Sequence, residues 1–161
     1  LMDEPPDSLA DAVFLPGGYP ELHAGRLAAN GRFLSGLVAA AGRGASVVGE
    51  CGGYMVLGQG LIDADGVRHA MAGLLPIETT FASPRLHLGY RQLRLMSSGP
   101  LGSAGQMFRG HEFHYAASVR AESSGALFEA WDASGTALGP MGLARGCVAG
   151  SFAHVIDRAD S

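Results

Sequence analysis

Short apolar runs separated by glycine-rich turns give the first half of the chain an alternating pattern of strands and helices. Apolar residues at 12–15 predict a short buried strand, which ends at the turn Pro16–Gly18. The further elements predicted in this half are helices over 21–29 and 31–41, a strand over 46–48 and a helix over 52–57. This β-α-β-α order indicates an α/β protein whose parallel sheet carries helices on both faces.

The second half has a different pattern, because its apolar segments are separated by Gly, Ser, Asp and Pro clusters. The predicted strands are 74–80, 88–96, 106–115, 126–131 and 146–151. The segment 97–105 is predicted to be a flexible loop. We therefore expect one domain over 1–161, with a mostly parallel sheet and antiparallel strands appended to it.

The junction VVGECGGYMVLG at 47–58 has the layout of a nucleophile elbow, in which a strand turns sharply into a helix. A side chain on such a turn is lifted clear of the backbone beside the positive end of the helix. For Cys51 this predicts a lowered thiol pKa. The alternative is an inert core cysteine, since free cysteines are commonly buried. The flanking glycines, Gly49, Gly52 and Gly53, favour the elbow because glycine is costly inside regular elements.

Composition limits the possible functions. The chain has 161 residues, of which 47% are hydrophobic and 16% charged, and its net charge of −4 gives no electrostatic footprint for nucleic acid. No membrane span or signal peptide is predicted, and two cysteines favour a reducing compartment, so we expect a cytoplasmic location. All eleven basic residues are arginine, which excludes a GxxxxGK phosphate loop in this chain.

A cysteine nucleophile needs a base, and the chain offers six histidines: His23, His69, His87, His111, His114 and His154. Any one histidine taken alone is more often a surface or structural residue. His154 is the best candidate because it follows a strand of small residues, and a base at a strand's carboxyl end can lie beside the elbow of a neighbouring strand.

Four motifs in order carry a family resemblance: PGGYPE at 16–21, ECGGYMVLG at 50–58, RGHEFHY at 109–115 and GSFAH at 150–154. Together they closely resemble the class I glutamine amidotransferase domains of the cobalamin-pathway type, found at the C-terminus of cobyrinic acid (hydrogenobyrinic acid) a,c-diamide synthases. The resemblance covers nearly the whole chain and implies a flavodoxin-like amidotransferase fold.

The resemblance also implies roles for matched residues. Cys51 would attack the side-chain amide of glutamine, and His154 would act as its base and protonate the departing ammonia. The backbone N–H groups of Gly18 and Gly52 would form the oxyanion hole. The thioester at Cys51 would then be hydrolysed to glutamate.

Two positions depart from many class I enzymes. Ile156 stands where a triad glutamate follows the histidine, and Met55 stands where a glutamine follows the nucleophile. We therefore expect a Cys-His dyad, with Asp157 as a surface charge. Arg91 is a candidate to hold the α-carboxylate of glutamine and Glu112 its α-amino group, although Arg91 could be an ordinary surface residue and Glu112 part of a structural network.

The resemblance further implies a partner for this chain. In the family, an N-terminal synthetase domain precedes the glutaminase and uses ATP and Mg²⁺ to activate the a and c carboxylates of the corrinoid. We expect no cofactor and no metal in this chain, since the two histidines of HEFH would point to opposite faces of a strand. We also expect that the family's first strands are missing here, and that the full-length enzyme could form a homodimer.

Two other functions stay open from the sequence. One is a catalytically idle interaction domain that packs on the same synthetase. The other is an elbow-cysteine hydrolase of the ThiJ/PfpI type. The presence of both Cys51 and His154 favours the glutaminase over the first, and the motifs PGGYPE and RGHEFHY favour it over the second.

Overall fold

The first half of the chain forms the parallel part of a mixed sheet and its helices. The computed structural model describes residues 2–121 and 125–159. Strand β1 (Ala12–Leu15) pairs in parallel with β2 (Ser46–Glu50), and Ala12 lies opposite Ser46. Between these strands, a 3₁₀ turn at Pro20–His23 leads into the helices α1 (Ala24–Ala29) and α2 (Gly31–Gly42); α3 (Gly52–Leu57) follows β2.

The remaining described elements are strands. They are β3 (Gly60–Ile62), β4 (Arg68–Ala70), β5 (Ile77–Thr80), β6 (His87–Leu95), β7 (Met107–His114), β8 (Ala117–Ala121), β9 (Ala126–Asp132), β10 (Ala137–Arg145), β11 (Val148–Ser151) and β12 (Ala153–Arg158). Eight strands form the main sheet in the order β1-β2-β11-β10-β9-β6-β7-β12. A second sheet has the order β4-β3-β5-β8.

Strand β11 brings the end of the chain back to the elbow. It pairs in parallel with β2, so that Gly150 lies opposite Gly49 and Ser151 opposite Glu50. Beyond β11 the main sheet continues through antiparallel pairs. The α/β class with appended antiparallel strands is therefore confirmed, and the parallel part of the main sheet is confined to β1, β2 and β11.

The predicted elements match the observed ones in kind, although several strands escaped the sequence pattern. The helix predicted over 52–57 is present with the same bounds, and 97–105 is a turn region closed by a bridge between Gly99 and Gly102. The segment 137–145 is not among the predicted strands, because glycine and proline interrupt its apolar pattern. It forms β10, in which Gly139 and Gly142 adopt positive φ and a register shift falls between Ala137 and Gly139.

Two hydrophobic clusters hold the strands and helices together. The larger one surrounds α3 and includes the fully buried Leu37, Val47 and Leu57, whereas the smaller one lies among the antiparallel strands around Leu93 and Phe128. No helix within the described ranges has the length and apolar character needed to cross a bilayer.

Candidate active site

The backbone of Cys51 is held in the sharp turn between β2 and α3. Its φ of 49° makes it the one non-glycine residue with positive φ within 2–121 and 125–159, and its ψ is −106°. The N–H of Cys51 donates to the carbonyl of Ser151 on β11 (2.8 Å). Glycine is needed nearby, because a Cβ at Gly49 would lie 2.7 Å from the backbone of Gly53, and one at Gly53 would collide with the carbonyl of Leu15. The turn is thus a strained, tightly packed elbow.

The Cys51 thiol is sheltered in this structure. The residue is 7% exposed, and Sγ–H donates to the carbonyl of Phe113 on β7 at 3.7 Å. Burial raises the pKa of the thiol, the Gly52 N–H lowers it, and the charges of Glu21, Glu50 and Glu112 raise it further. The expected lowering of the thiol pKa is therefore wrong for this chain: three carboxylates and burial outweigh the favourable N–H group.

His154 lies on β12 and faces Cys51 across Gly17. The position that a Cβ of Gly17 would take lies 2.6 Å from Cε1 of His154, 3.4 Å from its Nε2 and 3.7 Å from Cβ of Cys51. The imidazole also stacks on His111 of β7, with centroids 4.9 Å apart. Strands β2, β7 and β12 and the Pro16–Gly18 turn thus bring a thiol and an imidazole to one point.

The two backbone groups expected to form an oxyanion hole lie together. A Cβ on Gly52 would come within 2.8 Å of the Gly18 carbonyl oxygen and 2.9 Å of the Gly18 nitrogen. A side chain at position 52 would therefore collide with the backbone of Gly18. The PGG turn therefore packs directly on the first residue of α3, beside Cys51.

Arg91 and Glu112 lie together and form an ion pair with each other. Nε–H of Arg91 donates to Oε2 of Glu112 at 2.6 Å, and both side chains are about nine-tenths buried. Nε2 of His114 lies 3.3 Å from Oε1 of the same carboxylate, and Nδ1 of His114 lies 3.0 Å from the carbonyl of Ala116. Burial raises the pKa of Glu112, but the hydrogen bonds of His114 and Arg91 outweigh it and the net pKa is lowered.

Glu21 is a functional candidate that the sequence analysis passed over. Its Oε2 is buried without a hydrogen-bond partner, and burial raises the pKa of its carboxyl group. Its charge also acts on Cys51. The signal was in the motif, because Glu21 is the last residue of PGGYPE, directly after the turn that carries Gly18.

Four of the other histidines have structural neighbours. Nε2 of His69 lies 2.7 Å from Oδ2 of Asp63, and His87 stacks on His114 with centroids 4.7 Å apart. His111 stacks on His154, whereas His114 stacks on Phe152. The two histidines of HEFH thus have different partners, as expected for residues on opposite faces of a strand.

An exposed apolar rim lies along β6 and the end of β7, next to His111. It consists of Leu88 and Tyr90 on β6 with Phe113 and Tyr115 at the end of β7, all at least 42% exposed. In the register of the sheet, Leu88 lies opposite Phe113 and Tyr90 opposite His111. On the other side of β7, a cavity of about 420 Å³ is lined by Glu112, His114 and apolar side chains.

Comparison with protein families agrees with this geometry. The model of the CobB/CobQ-like glutamine amidotransferase domain matches residues 2–161. The chain belongs to this family. The expected class, a glutamine amidotransferase domain, is therefore confirmed.

Relatives of the chain are hydrogenobyrinate a,c-diamide synthases. One from a Sinorhizobium species is 55% identical over 161 residues, covering 98% of this chain and 36% of that protein. One from Brucella abortus biovar 1 is 57% identical over 157 residues, covering 98% and 35%. One from Rhodobacter capsulatus is 52% identical over 156 residues, covering 97% and 35%. The chain thus spans about a third of the length of these relatives.

Solved structures support the same fold. PurLQS from Thermotoga maritima aligns with a TM-score of 0.66 at 20% identity, covering 95% of this chain and 72% of that chain. A glutamine amidotransferase crystal structure aligns with a TM-score of 0.56 at 16% identity, covering 89% and 70%. The class I amidotransferase-like fold expected from the motifs is confirmed.

Proposed function

We propose that this domain hydrolyses glutamine with Cys51 as nucleophile and His154 as base. The observation that carries the proposal is the convergence of the thiol and the imidazole across Gly17. His154 takes the thiol proton while sulfur attacks Cδ of the glutamine amide. The tetrahedral intermediate then expels ammonia, which receives that proton from His154. Water hydrolyses the resulting thioester, which releases glutamate and restores the Cys51 thiol.

The N–H groups of Gly18 and Gly52 would hold the oxyanion of this intermediate. Their close packing supports the assignment, because two donors fixed before the reaction need no reorganisation during it. Removing one such donor in other enzymes costs roughly 2.7–4 kcal/mol of barrier.

Binding of the amino-acid end of glutamine requires a carboxylate and a cation. Glu21 suits the α-ammonium group, since one of its oxygens is buried, lacks a partner and lies close enough to Cys51 to act on its charge. Arg91 remains a candidate for the α-carboxylate, but it would have to share its guanidinium with Glu112. The pairing makes Glu112 a poorer ligand for the α-amino group than the sequence suggested.

The ammonia released at Cys51 would serve a second active site. The relatives are about three times as long as this chain and are named hydrogenobyrinate a,c-diamide synthases. In such a protein, an N-terminal synthetase domain with ATP and Mg²⁺ would amidate the a and c carboxylates of cobyrinic or hydrogenobyrinic acid in cobalamin biosynthesis. The apolar rim on β6 and β7 suits a second domain packed against this face. We place this chemistry in the cytoplasm, where the thiol would stay reduced.

The decisive experiment is glutamate release from glutamine, measured for this chain alone and with a synthetase domain. Release is expected to be weak alone, because the thiol is sheltered and its pKa is raised. Release should rise when the synthetase is loaded and disappear in Cys51→Ala. If no condition gives glutamate, and a glutamine-analogue electrophile such as diazo-oxonorleucine leaves Cys51 unlabelled, the idle interaction domain becomes the better account.

A further inference from the structure

Strand β12 gives His154 no acidic partner. Ile156 stands where a triad acid would be expected, and its side chain is 58% exposed. The pairing of β12 with β7 shifts between Val155 and Asp157. Asp157 is exposed, and its carboxylate accepts the N–H of Arg158 at 2.8 Å. An acid that orients the imidazole must therefore come from another element.

Glu50, the last residue of β2, is placed to do this. Its Oε2 lies 3.5 Å from Nδ1 of His154, and its Oε1 accepts the backbone N–H of Val155 at 3.1 Å. The side chain is only 18% exposed. One carboxylate oxygen is thus anchored on the backbone of β12 while the other faces the ring, which holds the carboxylate on the Nδ1 side of His154.

We propose that Glu50 is the positioning residue of this active site: its carboxylate faces Nδ1 of His154 and turns Nε2 toward Cys51. The inference rests on the proposed glutaminase function and replaces the expected Cys-His dyad by a Cys-His-Glu arrangement. Its acid is the residue immediately before the nucleophile in the chain. The nearness of Nε2, and not only of Cε1, to the Gly17 position supports this ring orientation.

The proton route follows from this orientation. Nδ1 keeps its hydrogen toward Glu50, so the neutral ring presents the lone pair of Nε2 to the thiol. When Nε2 takes the Cys51 proton, the imidazolium is stabilised by the Glu50 carboxylate, which is not itself protonated. The Nε2 proton later passes to the leaving ammonia, and the ring returns to its Nδ1–H form.

Glu50 acts on both members of the pair, and the two effects differ in sign. Its negative charge favours the imidazolium of His154 but disfavours the thiolate of Cys51. The titratable groups that face the ring are Glu50 from β2, His111 stacked from β7 and Cys51 at the start of α3. A variant that removes the charge at position 50 should therefore lower the pKa of the Cys51 thiol.

The test is Glu50→Gln, whose amide oxygen can still accept the Val155 N–H but carries no charge. We expect kcat for glutamate release, measured with a synthetase domain present, to fall roughly tenfold to a hundredfold with KM within about twofold. Imidazole ¹⁵N NMR should show a smaller share of the Nδ1–H tautomer at His154 than in the wild type. Asp157→Asn is the matched control, which removes a nearby exposed carboxylate and should change neither value.

A second measurement needs no variant. In the wild-type protein with a neutral His154 ring, ¹⁵N shifts should show the Nδ1–H tautomer in excess. Predominance of the Nε2–H form in the wild type, or a wild-type kcat together with a wild-type tautomer ratio in Glu50→Gln, overturns the assignment of Glu50. If the wild type releases no glutamate with any synthetase, the glutaminase proposal fails, whereas the NMR result still decides what Glu50 does to His154.

Discussion

Gly17 and His154 are in such close contact that no side chain fits between them: a Cβ at position 17 would lie 2.6 Å from Cε1 of the imidazole. The turn that leads to the expected oxyanion groups therefore also limits the position of the His154 imidazole on one side. This relationship links the PGGYPE motif to GSFAH, which are more than a hundred residues apart in the chain.

Gly17→Ala should push the His154 ring away from the thiol. Because displacements of about 1 Å in a reacting pair can cost around a hundredfold in rate, we expect kcat for glutamine hydrolysis to fall at least tenfold, with little change in KM. Gly42→Ala is the control: a Cβ there meets nothing within 4 Å in α2, and alanine should stabilise that helix slightly. Unchanged kcat in Gly17→Ala would place the working position of His154 elsewhere.

Glu21→Gln should make Cys51 more reactive but bind glutamine less well. Removing the charge lowers the thiol pKa, so alkylation by iodoacetamide at pH 7 should become faster. The advantage should shrink at lower pH, where the wild-type Glu21, whose own pKa is raised, becomes protonated as well. Loss of the partner for the α-ammonium group should raise KM about tenfold. Glu4→Gln, at an exposed position, should leave both quantities unchanged.

Glu112→Gln should destabilise the domain by about 3 kcal/mol at pH 7, because it leaves the buried guanidinium of Arg91 without its counter-charge. The pKa of Glu112 is lowered below its ordinary 4.5. The stabilisation by its charge is therefore complete above that pH and is lost as the pH falls through the folded-state pKa. In urea unfolding, the difference from wild type should narrow between pH 7 and pH 3.

The control for Glu112 is a cross-strand ion pair on the surface. Glu129 pairs with Arg94, and both side chains are about a third or more exposed. Glu129→Gln should cost at most about 1 kcal/mol. Equal losses in the two variants would mean that burial does not strengthen the Arg91–Glu112 pair.

Gly53→Ala should lower the stability of the domain, and any loss of catalysis should follow from that. The added Cβ would collide with the backbone carbonyl of Leu15, and neither α3 nor β1 can move without opening the larger core. We expect the midpoint of urea unfolding to fall by the equivalent of more than about 2 kcal/mol. A variant as stable as wild type would mean that α3 slides easily over β1.

The local parts of the site could be predicted from the sequence. The elbow, the PGG turn and α3 are encoded within a few residues each, since glycine spacing and apolar runs determine them directly. His154 was identified from its motif, although the strand that carries it, β12, was not predicted. Strand β10 was also not predicted, because glycine and proline interrupt its apolar pattern. An antiparallel strand can nevertheless accommodate both residues at bulges.

The electrostatics could not be predicted from local pattern. The thiol pKa is raised first by burial and then by the charges of Glu21, Glu50 and Glu112, which come from three different elements. The sequence left open whether Arg91 and Glu112 bind glutamine or have surface and structural roles, and the register of β6 against β7 makes them partners. Such relationships arise from strand register and burial, and neither is written into a short motif.

The backbone of Cys51 has a consequence for comparing related chains. A φ of 49° with a ψ of −106° is a conformation that glycine adopts freely and other residues adopt with strain of order 1–3 kcal/mol. Folding alone would therefore favour glycine at this position. In related domains that have lost glutamine hydrolysis, we expect glycine to replace cysteine at this position. The residue at position 51 can therefore distinguish active domains from inactive ones.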